Sequence, residues 1–304
     1  PAPPRRAWSV GLPSVPGLPK AAGYLGALRP RAARVGAAEL FARQVSTGSQ
    51  AEYLARDQTI IILDWDDTMC PTTWMKTEQK RLRLSSLAQV SKLHRERLDL
   101  LARHCAGLLT AASELGRVVV VTNAVFPWVD STCRSFLPSL LPLLQTVPVI
   151  YARQVYEEQA SGSAVPRRAR RAMTDAQLAV DPQLWKEAAF EKEIAGFYSR
   201  YPHQSWKNVI SIGDSTCERQ AARKVVPLRP SAEQKCRVKT MKLLEEPGLE
   251  DLTVQVRAIC KIIKAMVQHD GDLDIELGAE DLHDDASLEG AVTPTSSADL
   301  VKWP

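Results

Sequence analysis

TIIILDWDDT, residues 59–68, carries the main structural signal of this 304-residue chain. Its first five residues are β-branched or apolar without polar alternation, which is typical of a strand buried on both faces of a parallel sheet. The residues that follow are mostly acidic. Because α/β proteins bind ligands beyond the carboxyl ends of their strands, Asp64 and Asp66 are the first candidates for a functional site.

Strand-like and helix-like patterns alternate along the rest of the chain. Further strands are predicted at residues 118–121, 147–151, 209–212 and 237–243. Helical periodicity is present over residues 76–115, from Pro127 onward, and over residues 182–198, 216–224 and 249–268. The alternation predicts an α/β protein with a three-layer Rossmann-like fold and a mainly parallel sheet.

Charge is distributed unevenly and indicates where the folded domain ends. Residues 1–38 contain arginines and one lysine but no acid, whereas residues 270–300 contain many acids but neither lysine nor arginine. Segments with such biased charge tend to stay unfolded. The predicted organisation is a poorly ordered basic extension over 1–56, in which a short helix fits 31–44, an α/β domain over 57–269 with a loop insertion at 154–181, and a disordered acidic tail over 270–304.

Composition limits the classes of partner and compartment. The net charge of +4 is too small to favour nucleic-acid binding, and no apolar run approaches the roughly 20 residues that span a bilayer. The six cysteines include no CxxC pair and no zinc spacing, as expected for reduced thiols inside cells. We therefore expect an intracellular protein, either cytoplasmic or organellar. The organellar option follows from the first residues, which contain arginine and no acid, as transit peptides do.

Polar residues follow three of the predicted strands at one edge of the sheet. They are Asp64 and Asp66, Thr122 and Asn123, and Asp214 with Glu218 four residues later. Carboxylates that share a partly desolvated cleft raise each other's pKa, so a site that keeps them ionised needs a cation. Ligands that are all oxygen favour Mg²⁺ over zinc. One acid at a strand end is commonly only a helix cap, but three polar strand ends together indicate a magnesium site.

These segments resemble the motifs of the haloacid dehalogenase (HAD) superfamily. Residues 61–68 are similar to its first motif, an apolar strand followed by DxDx(T/V), and residues 118–123 to its second, an apolar strand ending in Thr or Ser. Residues 213–218, GDSTCE, are similar to the fourth motif in its GDxxx(D/E) form. The resemblance covers about residues 59–268. The string DWDDTMCPTTW, residues 64–74, also resembles a group of uncharacterised eukaryotic HAD-like proteins.

The resemblance implies roles for the acidic residues. Asp64 is expected to attack phosphorus and form an aspartyl-phosphate, and Asp66 to protonate the leaving alcohol and then activate water. Mg²⁺ is expected on the Asp64 side chain, the Asp66 backbone carbonyl and Asp214, where it offsets the negative charge of nucleophile and phosphate. Glu218 is expected to orient metal-bound water or the Asp214 side chain.

The resemblance also implies contacts to the phosphate. Thr122 is expected to donate a hydrogen bond to a phosphoryl oxygen, and we place Asn123 beside it as a further substrate contact. The family has a Lys or Arg before its fourth strand, for which Lys186, Lys192 and Lys207 are the candidates. Lys186, near the start of its predicted helix, is preferred as the catalytic lysine, with Lys192 retained as a substrate contact. Lys207 is too close to the strand.

An aspartate at position 66 favours phosphoester hydrolysis or phosphomutase chemistry, because the HAD ion pumps have Thr there and the dehalogenases lack the acid. The family inserts cap domains in two intervals. Here the first is filled mainly by one long helical segment and the second holds only a short irregular insertion, so we expect a minimal cap or none. An open site suits a macromolecular phosphoester, or a small one covered by a neighbouring subunit. The expected function is a Mg²⁺-dependent phosphatase, and the alternative is a catalytically weak HAD-like scaffold or regulatory protein.

Overall fold

The computed structural model describes residues 51–162, 181–200, 206–228 and 236–278. Within these ranges the strands are β1 Thr59–Leu63, β2 Arg117–Thr122, β3 Val149–Tyr151, β4 Asn208–Gly213, β5 Arg237–Lys242 and β6 Leu273–Glu276. They form one sheet in the order β3-β2-β1-β4-β5-β6, and every pair of neighbours is parallel.

Helices cover both faces of this sheet. Those in the described ranges are α1 Thr72–Arg81, α2 Leu87–Leu93, α3 Arg95–Leu115, α4 Trp128–Phe136, α5 Leu141–Leu144, α6 Ala152–Gly162, α7 Pro182–Tyr198, α8 Thr216–Val225 and α9 Leu249–Gln268. Helices α3 and α9 pack on one face and helices α7 and α8 on the other. The arrangement confirms the predicted three-layer α/β fold.

The central strand β1 explains why the sequence there is continuously apolar. Ile61 and Leu63 belong to the core on the α3 and α9 face, whereas Ile60 and Ile62 belong to the core on the α7 and α8 face. All four side chains are buried. Burying each contributes about 1.5–3 kcal/mol, so a polar residue on either face of this strand would be costly.

The strand order reverses at β1. From β1 the chain proceeds through β2 to the edge strand β3, then crosses back so that β4 pairs with the other side of β1. Leu63 is therefore in register with Val120 on one side and Ile212 on the other. A crevice beyond the carboxyl ends of the strands is expected at such a reversal, and the residues following β1, β2 and β4 meet there.

The predicted helical segment over residues 76–115 is divided in the structure. Helix α1 ends at Arg81, and Arg83 adopts a left-handed conformation with φ of 52°. Ser86 is extended and precedes α2. The prediction of one continuous helical segment was therefore wrong. Leu84 within the turn and Leu87 just after it also pack against the core, so the apolar pattern continues through the break.

The predicted loop insertion at residues 154–181 was wrong for its first part. Residues Ala152–Gly162 form helix α6, which packs against α7 with Ala152 and Val155 buried. Two buried apolar positions three residues apart gave too weak a periodic signal for the sequence to show this short helix. Residues 163–180 lie outside the described residues.

The boundary at residue 270 was also wrong, because β6 extends the sheet at Leu273–Glu276. Asp274 accepts hydrogen bonds from Arg219 Nε at 2.6 Å and from Thr240 Oγ1 at 2.7 Å. An acid that looked like part of a solvated tail is thus paired with residues distant in sequence. Residues 279–304 lie outside the described residues.

The domain begins earlier than the predicted residue 57. Tyr53 is fully buried, and its hydroxyl donates a hydrogen bond to the carbonyl oxygen of Gln268 at 2.7 Å. Residues 1–50, with the helix expected over 31–44, lie outside the described residues. In the part of the chain that the structure describes, no helix has the length and apolar character required to cross a membrane.

Candidate active site

Backbone hydrogen bonds hold the ends of β1 and β4 together. The Asp64 N–H donates to the Ile212 carbonyl at 3.0 Å, which continues the β1–β4 pairing by one residue. The Asp214 N–H donates to Thr68 Oγ1 at 3.1 Å, so the loop after β1 is tied to the end of β4. The two acidic strand ends among the three polar ones predicted from the sequence are therefore adjacent.

Lys186 connects the candidate nucleophile to the other elements of the site. Its Nζ lies 2.5 Å from Asp64 Oδ1 and 2.8 Å from Glu218 Oε1, and it donates a third hydrogen bond to the Val121 carbonyl at 2.7 Å. An ammonium has three N–H donors, and these three contacts use all of them. The side chain is only 1% exposed, so its geometry is fixed from every side.

The other two lysines do not reach this cluster. Lys192, expected as a substrate contact, lies on an exposed face of α7 and pairs with Glu158 at 3.7 Å. It lies six positions beyond Lys186 in the helix, about 9 Å along the helix axis, and so further from the start of α7. Lys207 pairs with Glu52 at 3.2 Å. The expectation that Lys192 contacts the substrate was therefore wrong.

Burial and charge determine the protonation of this group. Burial alone favours a neutral amine, but Asp64 and Glu218 raise the pKa of Lys186 above its ordinary value, so it remains an ammonium. Burial acts to raise the pKa of Glu218, but the same ammonium holds that pKa below its usual value. Burial raises the pKa of Asp64 well above its ordinary value, and neighbouring carboxylates add to the rise although Lys186 opposes it.

Asp214 adds negative charge to the same region. Burial, together with the charges of Glu218 and Asp67, raises the pKa of Asp214 to about 7. Lys186 lowers it, but not enough to cancel the rise. Asp64 and Asp214 thus both have raised pKa values beside a single ammonium, which is the electrostatic state that a bound cation relieves.

The candidate acid Asp66 is hydrogen-bonded through both of its oxygens. Oδ1 accepts from Thr72 Oγ1 and from Trp128 Nε1, each at 2.7 Å, and Oδ2 accepts from Thr122 Oγ1 at 2.9 Å. All three donors are neutral side chains. Nothing in the sequence pattern singled out Trp128, whose contact with Asp66 spans 62 positions of the chain.

Thr122 and Asn123 end β2 at the same place. Besides donating to Asp66, the Thr122 hydroxyl accepts from the Ala124 N–H at 3.0 Å. The Asn123 Nδ2 donates to the Pro182 carbonyl at 3.4 Å, at the start of α7. Among the described residues, the buried Asn123 Oδ1 has no hydrogen-bond partner.

Asp67 has a structural role in the loop after β1. Its φ of 51° lies in the left-handed region, and its carboxylate accepts from the Thr73 N–H at 2.9 Å and from Thr73 Oγ1 at 2.6 Å. These bonds satisfy the first turn of α1, as a capping side chain does. The sequence pattern alone did not distinguish this cap from the catalytic candidates Asp64 and Asp66 that precede it.

Gly213 allows Glu218 to approach the end of β4. A Cβ at this position would lie 2.6 Å from Glu218 Cγ and 2.9 Å from Oε2, closer than real Cβ contacts. The glycine of the GD pair is therefore required by packing. Within the described ranges Glu218 Oε2 is buried without a hydrogen-bond partner, beside the acids already named.

The residues present fit a magnesium ion. The expected ligands are the Asp64 and Asp214 carboxylates and the Asp66 carbonyl, all hard oxygen donors, and the unpartnered Glu218 oxygen is a further acceptor in the same region. In the described part of the chain, no group of three or more His, Cys, Asp or Glu side chains forms a metal-binding cluster. The expected set differs from such a cluster, because one of its three ligands is a backbone carbonyl.

No protein-family model, curated protein or solved structure matches the chain. The chemistry of the site is therefore inferred from its geometry.

Proposed function

We propose that the protein is a Mg²⁺-dependent phosphatase that hydrolyses phosphate monoesters through an aspartyl-phosphate on Asp64. One observation carries the proposal. A fully buried lysine bridges Asp64 and Glu218 at the strand-order reversal, beside a second aspartate that is already hydrogen-bonded. A merely structural ion pair does not need this excess of carboxylates, since burying unpaired charge is costly.

The chemistry proceeds in two displacements. The Asp64 carboxylate attacks phosphorus, the bond from phosphorus to the ester oxygen breaks, and protonated Asp66 transfers its proton to the departing alkoxide. Water then attacks the aspartyl-phosphate while the Asp66 carboxylate takes its proton. Inorganic phosphate leaves and both side chains return to their starting states. Lys186 offsets negative charge on Asp64 throughout.

Magnesium held by Asp64, Asp214 and the Asp66 carbonyl would supply positive charge against the phosphate when bound. The remaining tasks fall to side chains. Glu218 holds Lys186 in place, and Gly213 admits Glu218.

Thr122 links phosphate binding to the acid. A hydroxyl has one proton to donate, and in the structure Thr122 donates it to Asp66 Oδ2. A phosphoryl oxygen that accepts this proton therefore releases Asp66 Oδ2 for the leaving group. Thr122→Ser should keep most activity, whereas Thr122→Val should lower it by about 10²-fold or more, as for loss of other preorganised donors.

Hydrolysis of a generic aryl phosphate tests the proposal. We expect turnover that requires Mg²⁺ and that Asp64→Asn lowers by at least about 10³-fold, a loss typical of removing a nucleophile. Lys192→Met, which changes an exposed lysine of the same helix, should retain activity. Turnover that survives Asp64→Asn would reject the mechanism.

The second candidate function is a metal-binding scaffold or regulator with little turnover. The hydrogen bonds to Asp66 favour it, because three neutral donors already satisfy the carboxylate that must transfer a proton. Mg²⁺ binding without turnover across a panel of phosphomonoesters would select this function.

A further inference from the structure

The loop over residues 123–127 is anchored to Asp66 at both ends. The residue before it, Thr122, donates to Asp66 Oδ2 at 2.9 Å, and the residue after it, Trp128, donates to Asp66 Oδ1 at 2.7 Å. Two ends fixed on one carboxylate place the five residues between them close to that side chain. This segment, the 123–127 loop, therefore borders the candidate acid.

The middle of the 123–127 loop is apolar and open to solvent. Val125 is 60% exposed and Phe126 is 71% exposed, two of five large apolar side chains exposed in the described part of the chain. The loop is also held in shape. The Trp128 N–H donates to the Val125 carbonyl at 2.9 Å, and the rings of Phe126 and Tyr151 form a T-shaped pair with centroids 5.6 Å apart.

An acid that protonates the departing alkoxide must lie within hydrogen-bond reach of the ester oxygen. The alcohol part of the substrate therefore begins beside Asp66, where the 123–127 loop is the adjacent surface. Resting on the proposed phosphatase function, we infer that Val125 and Phe126 bind the alcohol part of the substrate, which belongs to the class of phosphate monoesters of extended apolar alcohols.

A series of n-alkyl phosphates from ethyl to octyl tests the inference, because its members have the same leaving-group chemistry and differ only in apolar length. A methylene that loses all contact with water contributes about fourfold to binding, so about twofold per methylene is expected on a half-open surface. We expect kcat/KM to rise with chain length. An unchanged kcat/KM from ethyl to octyl would overturn the inference.

Variants of the loop locate the effect. Val125→Thr and Phe126→Ala should flatten the rise, and Phe126→Leu, which stays apolar, should restore most of it. Leu93→Ala is the matched control, since Leu93 is 61% exposed outside the loop. A chain-length dependence that both loop variants leave intact, or that Leu93→Ala removes equally, would overturn the inference.

Binding of the corresponding n-alkylphosphonates, which cannot be hydrolysed at the carbon–phosphorus bond, separates the two proposals. Affinity that rises with length and falls in Phe126→Ala supports the loop assignment even if no ester is turned over, and in that case only the phosphatase function fails. Turnover of alkyl phosphates without any dependence of phosphonate affinity on length supports the function and rejects the loop assignment.

Discussion

The two ends of the sheet both bury charge, but with opposite balance. At the carboxyl ends, Asp64 and Glu218 pair with the buried ammonium of Lys186, and Asp214 adds negative charge to the same region. At the amino ends, the charged side chains of β5 are basic, and their partners are an acid, an aromatic ring and a backbone carbonyl. The difference shows that buried charge indicates a functional site only where one sign is in excess of its partners.

The amino-end group is already compensated. Arg237 pairs with Asp270 at 2.6 Å and lies 3.6 Å from the centroid of the Tyr53 ring. Lys239 donates to the Val267 carbonyl at 2.7 Å. Burial, with Arg237 adding to its effect, lowers the pKa of Lys239 well below its ordinary value, so this amine can bind its carbonyl as a neutral donor. We interpret this group as structural.

Removing the ammonium from the carboxyl end should have the largest effect on stability. Lys186→Met leaves Asp64 and Glu218 buried without their common cation, for which we expect a loss of about 3–5 kcal/mol in the free energy of unfolding. Urea denaturation at pH 7 measures it. Lys192→Met should stay within about 0.5 kcal/mol of the native chain, and equal losses would contradict the difference between the two lysines.

Magnesium should stabilise the protein through the carboxyl end alone. A ligand that binds only the folded state at 100 times its dissociation constant adds about 2.7 kcal/mol. We expect Mg²⁺ to raise the melting temperature of the native chain and of Lys239→Met but not of Asp214→Asn. An equal rise in Asp214→Asn would place the ion elsewhere.

A pair of glycine substitutions compares the packing at the site with that on the surface. Gly213→Ala forces a Cβ against Glu218, and we expect a loss of about 2 kcal/mol by overpacking. Gly196→Ala should instead gain about 0.5–1 kcal/mol, because Gly196 lies within α7 and its Cβ would meet nothing within 4 Å among the described residues. Chemical denaturation of both variants measures these changes in the free energy of unfolding. A stabilised Gly213→Ala would contradict the close approach of Glu218.

The pH dependence of the free energy of unfolding should reveal the lowered pKa of Lys239. Because the pKa of Lys239 is lower in the folded chain than its ordinary 10.5, the unfolded chain binds the extra proton between those two values. Between these two pKa values the free energy of unfolding therefore rises by about 1.4 kcal/mol per pH unit. This gain is lost as the pH falls through the folded pKa of Lys239. Lys239→Met should remove this part of the rise below pH 10.5. Identical pH profiles of the two proteins would show that Lys239 is not buried as a neutral amine.

The sequence predicted those features that depend on local patterns. The uninterrupted apolar run of β1 predicted a strand buried on both faces of a parallel sheet, and Asp64 follows directly at its carboxyl end. The position of Lys186 near the start of a helix was informative for a physical reason. Helices that precede a parallel strand begin at the carboxyl edge of the sheet, so an early lysine lies near the site and Lys192, further along, does not.

Features that depend on distant partners could not be predicted in this way. Asp274 in β6 has the appearance of a tail residue until Arg219 is placed beside it. Trp128 resembles any aromatic residue at a helix start until its N–H reaches Asp66. In both cases the partner lies more than 50 positions away, beyond the range of any periodic pattern.

The short strand β6 has a consequence for how this protein behaves at high concentration. It pairs with Lys239–Lys242 and so occupies the outer backbone groups of β5. A chain cut after residue 269 would present that strand as an open edge, and open edges recruit strands from other molecules. We expect such a truncated chain to self-associate, so recombinant versions should extend at least through Gly278.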